Sequence, residues 1–210
     1  MQEAVEQRAR EQEAYEAFAD AVRGFDRVLE GLPDLGVVER KTELDAAFTL
    51  VRRAHSAVTI RGASDVVVLA DDVYAQCAGM ERWALRAAAV RSALRALERQ
   101  WCPGTEGRCE GDPERCTYDP HNSAIVAHAM VESWGGRDEL DQAEDRSLLE
   151  FCLEESGALS EEQLVALRQE LNRASSWDLL LGYGRRRPAG RLREALAAFV
   201  SGSRREPSVA

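Results

Sequence analysis

Apolar residues recur every three or four positions through most of this chain, and almost nowhere do they alternate. In the first stretch Tyr15, Phe18, Val22, Phe25, Val28 or Leu29, and Leu32 fall in one line. That spacing is the stripe of a helix that packs along one face. The fourteen residues before it carry only Val5 and alanines on the apolar side, so they are read as a solvated helical extension or a frayed end. Gly31, Leu32-Pro33 and Gly36 mark a turn. A second helix is expected from about Val38 to Ile60, with Leu44, Phe48, Val51, His55 and Val58 in line. Ser64 or Asp65 is the expected N-cap of a third.

The third helix is expected from Asp65 to Trp101. Val66 to Leu69 also suits a strand, but Val73, Cys77, Met80 and Trp83 continue a helical rhythm. Trp83, Ala87, Val90, Leu94, Leu97 and Trp101 extend it. At 1.5 Å per residue such a helix spans roughly 55 Å, so it needs a partner along its length. Helices one and two supply part of that surface, and a second copy of the chain, packed on the stripes of helices one and three, is the other source.

Helical spacing stops at Cys102 and resumes at Ser123, continuing to Trp134 and ending at Gly135-Gly136. Further helices are expected from Leu140 or Glu144 to Glu155, from a capping box at Ser160 and Gln163 to about Asn172, around Ser176 to Leu181, and from Pro188 to Val200. The fold class is therefore all-α. A long antiparallel bundle occupies residues 1–101, a Cys/His-rich segment residues 102–121, a smaller helical region residues 122–202, and a disordered tail residues 203–210.

Composition narrows the function. The chain has 210 residues and a net charge of −10. General nucleic-acid binding needs a basic face, and docking on anionic membranes needs the same. Both are weighed against here. No stretch reaches the ~20 apolar residues of a spanning helix, and the start lacks a secretory leader, so a cytoplasmic location is expected. In a reducing compartment five cysteines favour thiols or metal ligands over disulfides. Charge is also segregated. Residues 132–170 hold twelve acidic and three basic side chains, whereas residues 171–205 hold eight arginines against Asp178 and Glu194. The two stretches are expected to pair within the fold or between molecules.

The segment that interrupts the helices carries the clearest chemistry. Cys102, Cys109, Cys116 and His121 are spaced Cys-x6-Cys-x6-Cys-x4-His. Three thiolates and an imidazole form a standard tetrahedral set for structural zinc. A disulfide or redox pair, and incidental thiols in a surface loop, are the other readings. The run resembles the CCCH class of zinc finger, with Gly107 and Gly111 ahead of the second and third cysteines and Tyr118 before the histidine. It departs by one extra residue before His121 and by Glu106, Glu110, Asp112 and Glu114 in its loops. The RNA binding of that class is not carried over. Separately, the run Leu50 to Asp72 resembles uncharacterised actinobacterial helical proteins, in which an R-x-x-x-V-x-L-x-G stretch joins two antiparallel helices. That likeness covers about residues 10–101 and implies a helical fold without an activity.

A second candidate is the patch Arg185, Arg186, Arg187 and Arg191, ahead of a helix start. Arginines clamp phosphate or carboxylate in pairs; a solvated loop is the plainer reading. Cys77 and Cys152 are expected to be buried, and His55 to be a hydrogen-bonded core histidine. His128 and Glu132 share a helix face and are read as surface neighbours. The functional expectation is a helical scaffold or adaptor, self-associating or binding a protein partner, with a zinc knuckle. A redox- or metal-responsive regulator is the alternative, and a phosphate-binding enzyme a more distant one.

Overall fold

The computed structural model describes residues 2–101, 119–136, 139–173 and 188–204, and among them regular structure is entirely helical. The helices are α1 (Gln2–Gly31), α2 (Val37–Arg61), α3 (Ser64–Arg99), α4 (Asp119–Ser133), α5 (Glu139–Ser156), α6 (Glu161–Leu171) and α7 (Pro188–Ser203). The expected all-α architecture is the one observed. Two compact units divide the chain: Met1–Leu85 with Gly182–Ala210, and Arg86–Leu181. The periodicity placed a boundary at residue 101. The contacts place it inside α3 and return the last helix to the first unit.

In the first unit the stripe of α1 is buried as spaced, with Phe18, Val22 and Phe25 fully covered. Antiparallel α2 meets it, Phe25 beside Phe48 and Phe18 beside His55, each pair with ring centroids 5.8 Å apart. Tyr74 of α3 stacks on Phe48 and on His55. Phe199 of α7 sets its edge against Tyr15 and Phe18. The α1 stripe, read from the sequence as a face for a second copy, is thus filled by the chain's own helices. The same holds in the second unit for Ala87, Val90, Leu94 and Leu97 of α3, all buried.

The turns are closed by specific bonds. Arg40 is buried, and its guanidinium donates to the carbonyls of Leu32 (3.0 Å) and Pro33 (3.2 Å) in the 3-10 turn Leu32–Asp34 that follows α1. Between α2 and α3 the Ala63 amide donates to the Tyr15 hydroxyl at 2.9 Å. Gly62 permits that approach, since a Cβ there would lie 2.7 Å from the Val58 carbonyl oxygen and 3.1 Å from the Tyr15 ring. The expected N-cap at Ser64 or Asp65 is displaced, because the helix already begins at Ser64.

In the second unit α6 opens with the expected capping box: Ser160 Oγ accepts from the Gln163 amide, and Gln163 Oε1 accepts from the Ser160 amide. The turn before it uses Gly157 at φ +59°, a conformation side chains with a Cβ disfavour. Arg168 of α6 bridges Glu150 (2.7 Å) and Glu154 (2.9 Å) of α5. Gln163 reaches the Ser92 hydroxyl of α3 at 3.1 Å. A short 3-10 turn, Trp134–Gly136, follows α4 and drives the Trp134 ring completely out of solvent. At the far end of the chain α7 runs through Ser203, past the Val200 expected from periodicity. The helix expected around Ser176–Leu181 lies outside the described residues. No described helix is long and apolar enough to cross a membrane.

Candidate functional site

The last turn of α3 and the whole of α4 frame the Cys/His-rich segment. Of the four expected metal ligands, Cys102, Cys109 and Cys116 lie outside the described residues, and His121 lies in the first turns of α4, half-buried. Helix α4 forms because Ala124, Ala127, His128 and Val131 recur at i, i+3, i+4 and i+7, and all four are buried. Asp119 in its first turn complements the positive end of the helix dipole.

His128 corrects the sequence expectation. It is no surface neighbour of Glu132, for only 7% of the residue is exposed. Its Nε2 lies 3.2 Å from Glu98 Oε1 on α3. A carboxylate only accepts, so this bond places the ring proton on Nε2. Glu132 is also near, its Oε2 3.6 Å from Nδ1, beyond hydrogen-bond length. Trp101 lies edge-on to the imidazole, with centroids 5.1 Å apart. The helix spacing alone was enough to put His128 with the alanines. What it did not reveal was Glu98, thirty residues upstream, which supplies the polar partner.

These contacts fix both ends of the segment. Trp101, immediately before Cys102, rests on His128. His121 stands seven residues ahead of His128, roughly 10 Å along α4 and nearly in line with it. Among the described residues no group of three or more His, Cys, Asp or Glu side chains could by itself hold a metal ion.

The arginine candidates divide in the same way. Arg185, Arg186 and Arg187 are outside the described residues. Arg191 is exposed in the opening turns of α7. Two residues on, Arg193 is committed to α1, bonded to Asp26 at 3.0 Å and Glu30 at 2.5 Å. Arg193 of the basic stretch thus finds acidic partners in α1 within the first unit. Among the described residues the stretch's expected pairing with residues 132–170 is seen locally, in Arg173 with Glu170 at 3.4 Å.

The two described cysteines are structural. Burial pushes the Cys77 thiol from its ordinary 9.0 up to about 12, and the Asp26 carboxylate adds to the rise. Burial also raises Cys152. Thiolate is the reactive form, so both are expected to resist alkylation in the native protein at neutral pH. Cys77 also makes stability depend on pH. The folded state keeps this proton where the unfolded state loses it. Its contribution is fully present below pH 9 and falls by about 1.4 kcal/mol per unit as pH rises toward 12. Denaturant unfolding between pH 8 and pH 11 is expected to show a flatter decline in Cys77→Ala. An unchanged slope would remove the assignment.

His55 is hydrogen-bonded as expected but half-buried rather than in the core. Its Nε2 lies 2.7 Å from Asp71 Oδ1, and its ring stacks on Tyr74 at 4.4 Å.

No family model matches the chain, and no curated protein or solved structure is similar to it.

Proposed function

We propose that this chain is a helical scaffold that works through protein–protein contact, self-association included, and that zinc held by Cys102, Cys109, Cys116 and His121 staples its central segment. The observation that carries the contact role is the outer face of α5. Leu140, Leu148 and Phe151 are 77%, 50% and 60% exposed there, opposite the buried Leu149, Cys152 and Leu153. A helix with apolar side chains on both sides has a surface suited to a partner. Glu144 and Glu155 stand within the outer stripe, between its apolar side chains, which favours a partner with arginine or lysine among its own apolar residues.

The zinc role rests on donor chemistry and on the two anchored ends of the segment. With Trp101 seated on His128 and His121 set on α4, the chain between them starts and finishes against fixed structure. Closing such a loop with four ligands costs less ordering than gathering them from a free chain.

The scaffold reading is tested by light scattering on the full chain over a concentration series. A mass of two or more chains is expected on the order of 100 μM. A single-chain mass throughout that range contradicts self-association.

A regulator that responds to oxidant or metal is a second reading, favoured by the Trp101–His128 contact next to Cys102. Loss of zinc on thiolate oxidation would be felt at that indole. Its sign would be a change in the Trp101 emission under peroxide, absent from a Trp101→Phe variant.

A further inference from the structure

The stripes that sequence reading offered for self-association are used up inside the fold, but α1 and α2 form another surface. A groove of about 700 Å³ runs between them. Its floor is made of small residues, among them Ala17, Ala21 and Gly24 of α1 and Ala46, Ala47 and Ala54 of α2. This strip of α1 is distinct from the one that carries Phe18 and Val22, which is already covered. One large apolar side chain rises from the groove: Leu50, 57% exposed.

Four exposed charges stand on the rim: Asp20 and Arg27 on α1, Arg53 and Glu43 on α2. The antiparallel register follows from the pairs Phe18–His55 and Phe25–Phe48. It sets Asp20 level with Arg53 at one end of the groove, and Arg27 and Glu43 together at the other. Along α1 the signs read minus then plus, and along α2 in the same direction they read plus then minus. A groove for a basic or an acidic ligand would carry one sign. This one is neutral and alternates.

We infer that a second copy of this chain docks on the α1–α2 groove through a two-fold axis. The inference rests on the scaffold reading and assigns its self-association to a second surface, apart from the α5 face. Face-to-face packing about an axis parallel to the helices puts Asp20 over the second copy's Arg53, and Arg27 over its Glu43. An axis across the helices puts Asp20 over the second copy's Arg27, and Arg53 over its Glu43. Every rim charge meets its opposite in either case, as an isologous interface demands. Leu50 of each copy then has the alanine and glycine floor of the other to enter, where the absence of side-chain bulk lets helices approach closely.

The test is sedimentation equilibrium of the full chain as wild type and as Leu50→Glu, Asp20→Arg, Asp20→Arg/Arg53→Glu and Asp20→Arg/Arg27→Glu. All changes are at the surface, and helicity by circular dichroism checks each fold. Leu50→Glu is expected to run as a single chain. Asp20→Arg is expected to weaken association about tenfold or more, since it replaces two attractions per dimer by two repulsions. One double variant is expected to recover affinity: the Arg53 partner reports an axis parallel to the helices, the Arg27 partner an axis across them. Self-association that none of these variants alters overturns the groove and leaves the scaffold reading standing. A monomeric wild type overturns both.

Discussion

Replacing Trp134 by alanine is expected to cost the second unit about 3–5 kcal/mol, the range for removing a large buried aromatic side chain. The ring is completely buried, and it joins three helices. It directly follows the end of α4, its Nε1 donates to the Leu171 carbonyl of α6 at 3.2 Å, and the Arg146 guanidinium of α5 lies 5.7 Å over its face. Gln142 of α5 donates to its backbone carbonyl at 3.1 Å. Alanine leaves a cavity among these contacts and strips the Leu171 carbonyl of a partner. Phenylalanine keeps most of the ring and loses the donor, so it is expected to cost about 1–3 kcal/mol. Urea unfolding followed by far-ultraviolet circular dichroism separates the two. Equal losses for both variants would mean that the hydrogen bond, not the packing, is what Trp134 contributes.

A loss of similar size is expected from Glu170→Leu. Glu170 is 5% exposed, and its Oε2 accepts from Arg86 Nε at 2.5 Å. Removing the carboxylate leaves a guanidinium in a poorly solvated place without its closest anion, which costs roughly 3–5 kcal/mol in comparable buried pairs. The charge, rather than the volume, sets that penalty. The double change Arg86→Met/Glu170→Leu is therefore expected to recover most of the loss, within about 1–2 kcal/mol of the parent. Additive losses in the same unfolding assay would show that the pair is not coupled.

Neither residue stood out in the sequence. Trp134 reads there as the last residue of an apolar run before two glycines, and its burial depends on a 3-10 turn and on Leu171 of α6, thirty-seven residues later. Glu170 looks like one acid among the twelve of residues 132–170. Its partner Arg86 is eighty-four residues away, a separation that no local spacing encodes. What local spacing does encode came through. The stripes of α1 and α2, the helical choice for Val66 to Leu69, the Ser160–Gln163 capping box and the burial of Cys77 and Cys152 all follow from side-chain period and cap chemistry. The assignment of faces did not follow. A stripe states that a helix face is covered without stating by what, so the α1 face expected to meet a second copy is instead met by α2 and α7. His128 failed for a related reason: a polar residue on a buried face is stable only if a distant acceptor reaches it, and Glu98 does.

The candidate site was half legible. His121, expected in the segment ahead of the helix, instead lies inside α4, which begins at Asp119 rather than Ser123, and the Trp101–His128 contact ties the last residue before Cys102 to the same helix. The ligand set itself remains a statement about chemistry: three thiols and an imidazole at intervals that zinc accepts.

The most direct test of the account is therefore elemental analysis of the full chain purified without added metal. One zinc per chain is expected, lost in Cys109→Ser. Absence of zinc from protein that is otherwise folded by circular dichroism would contradict the zinc staple.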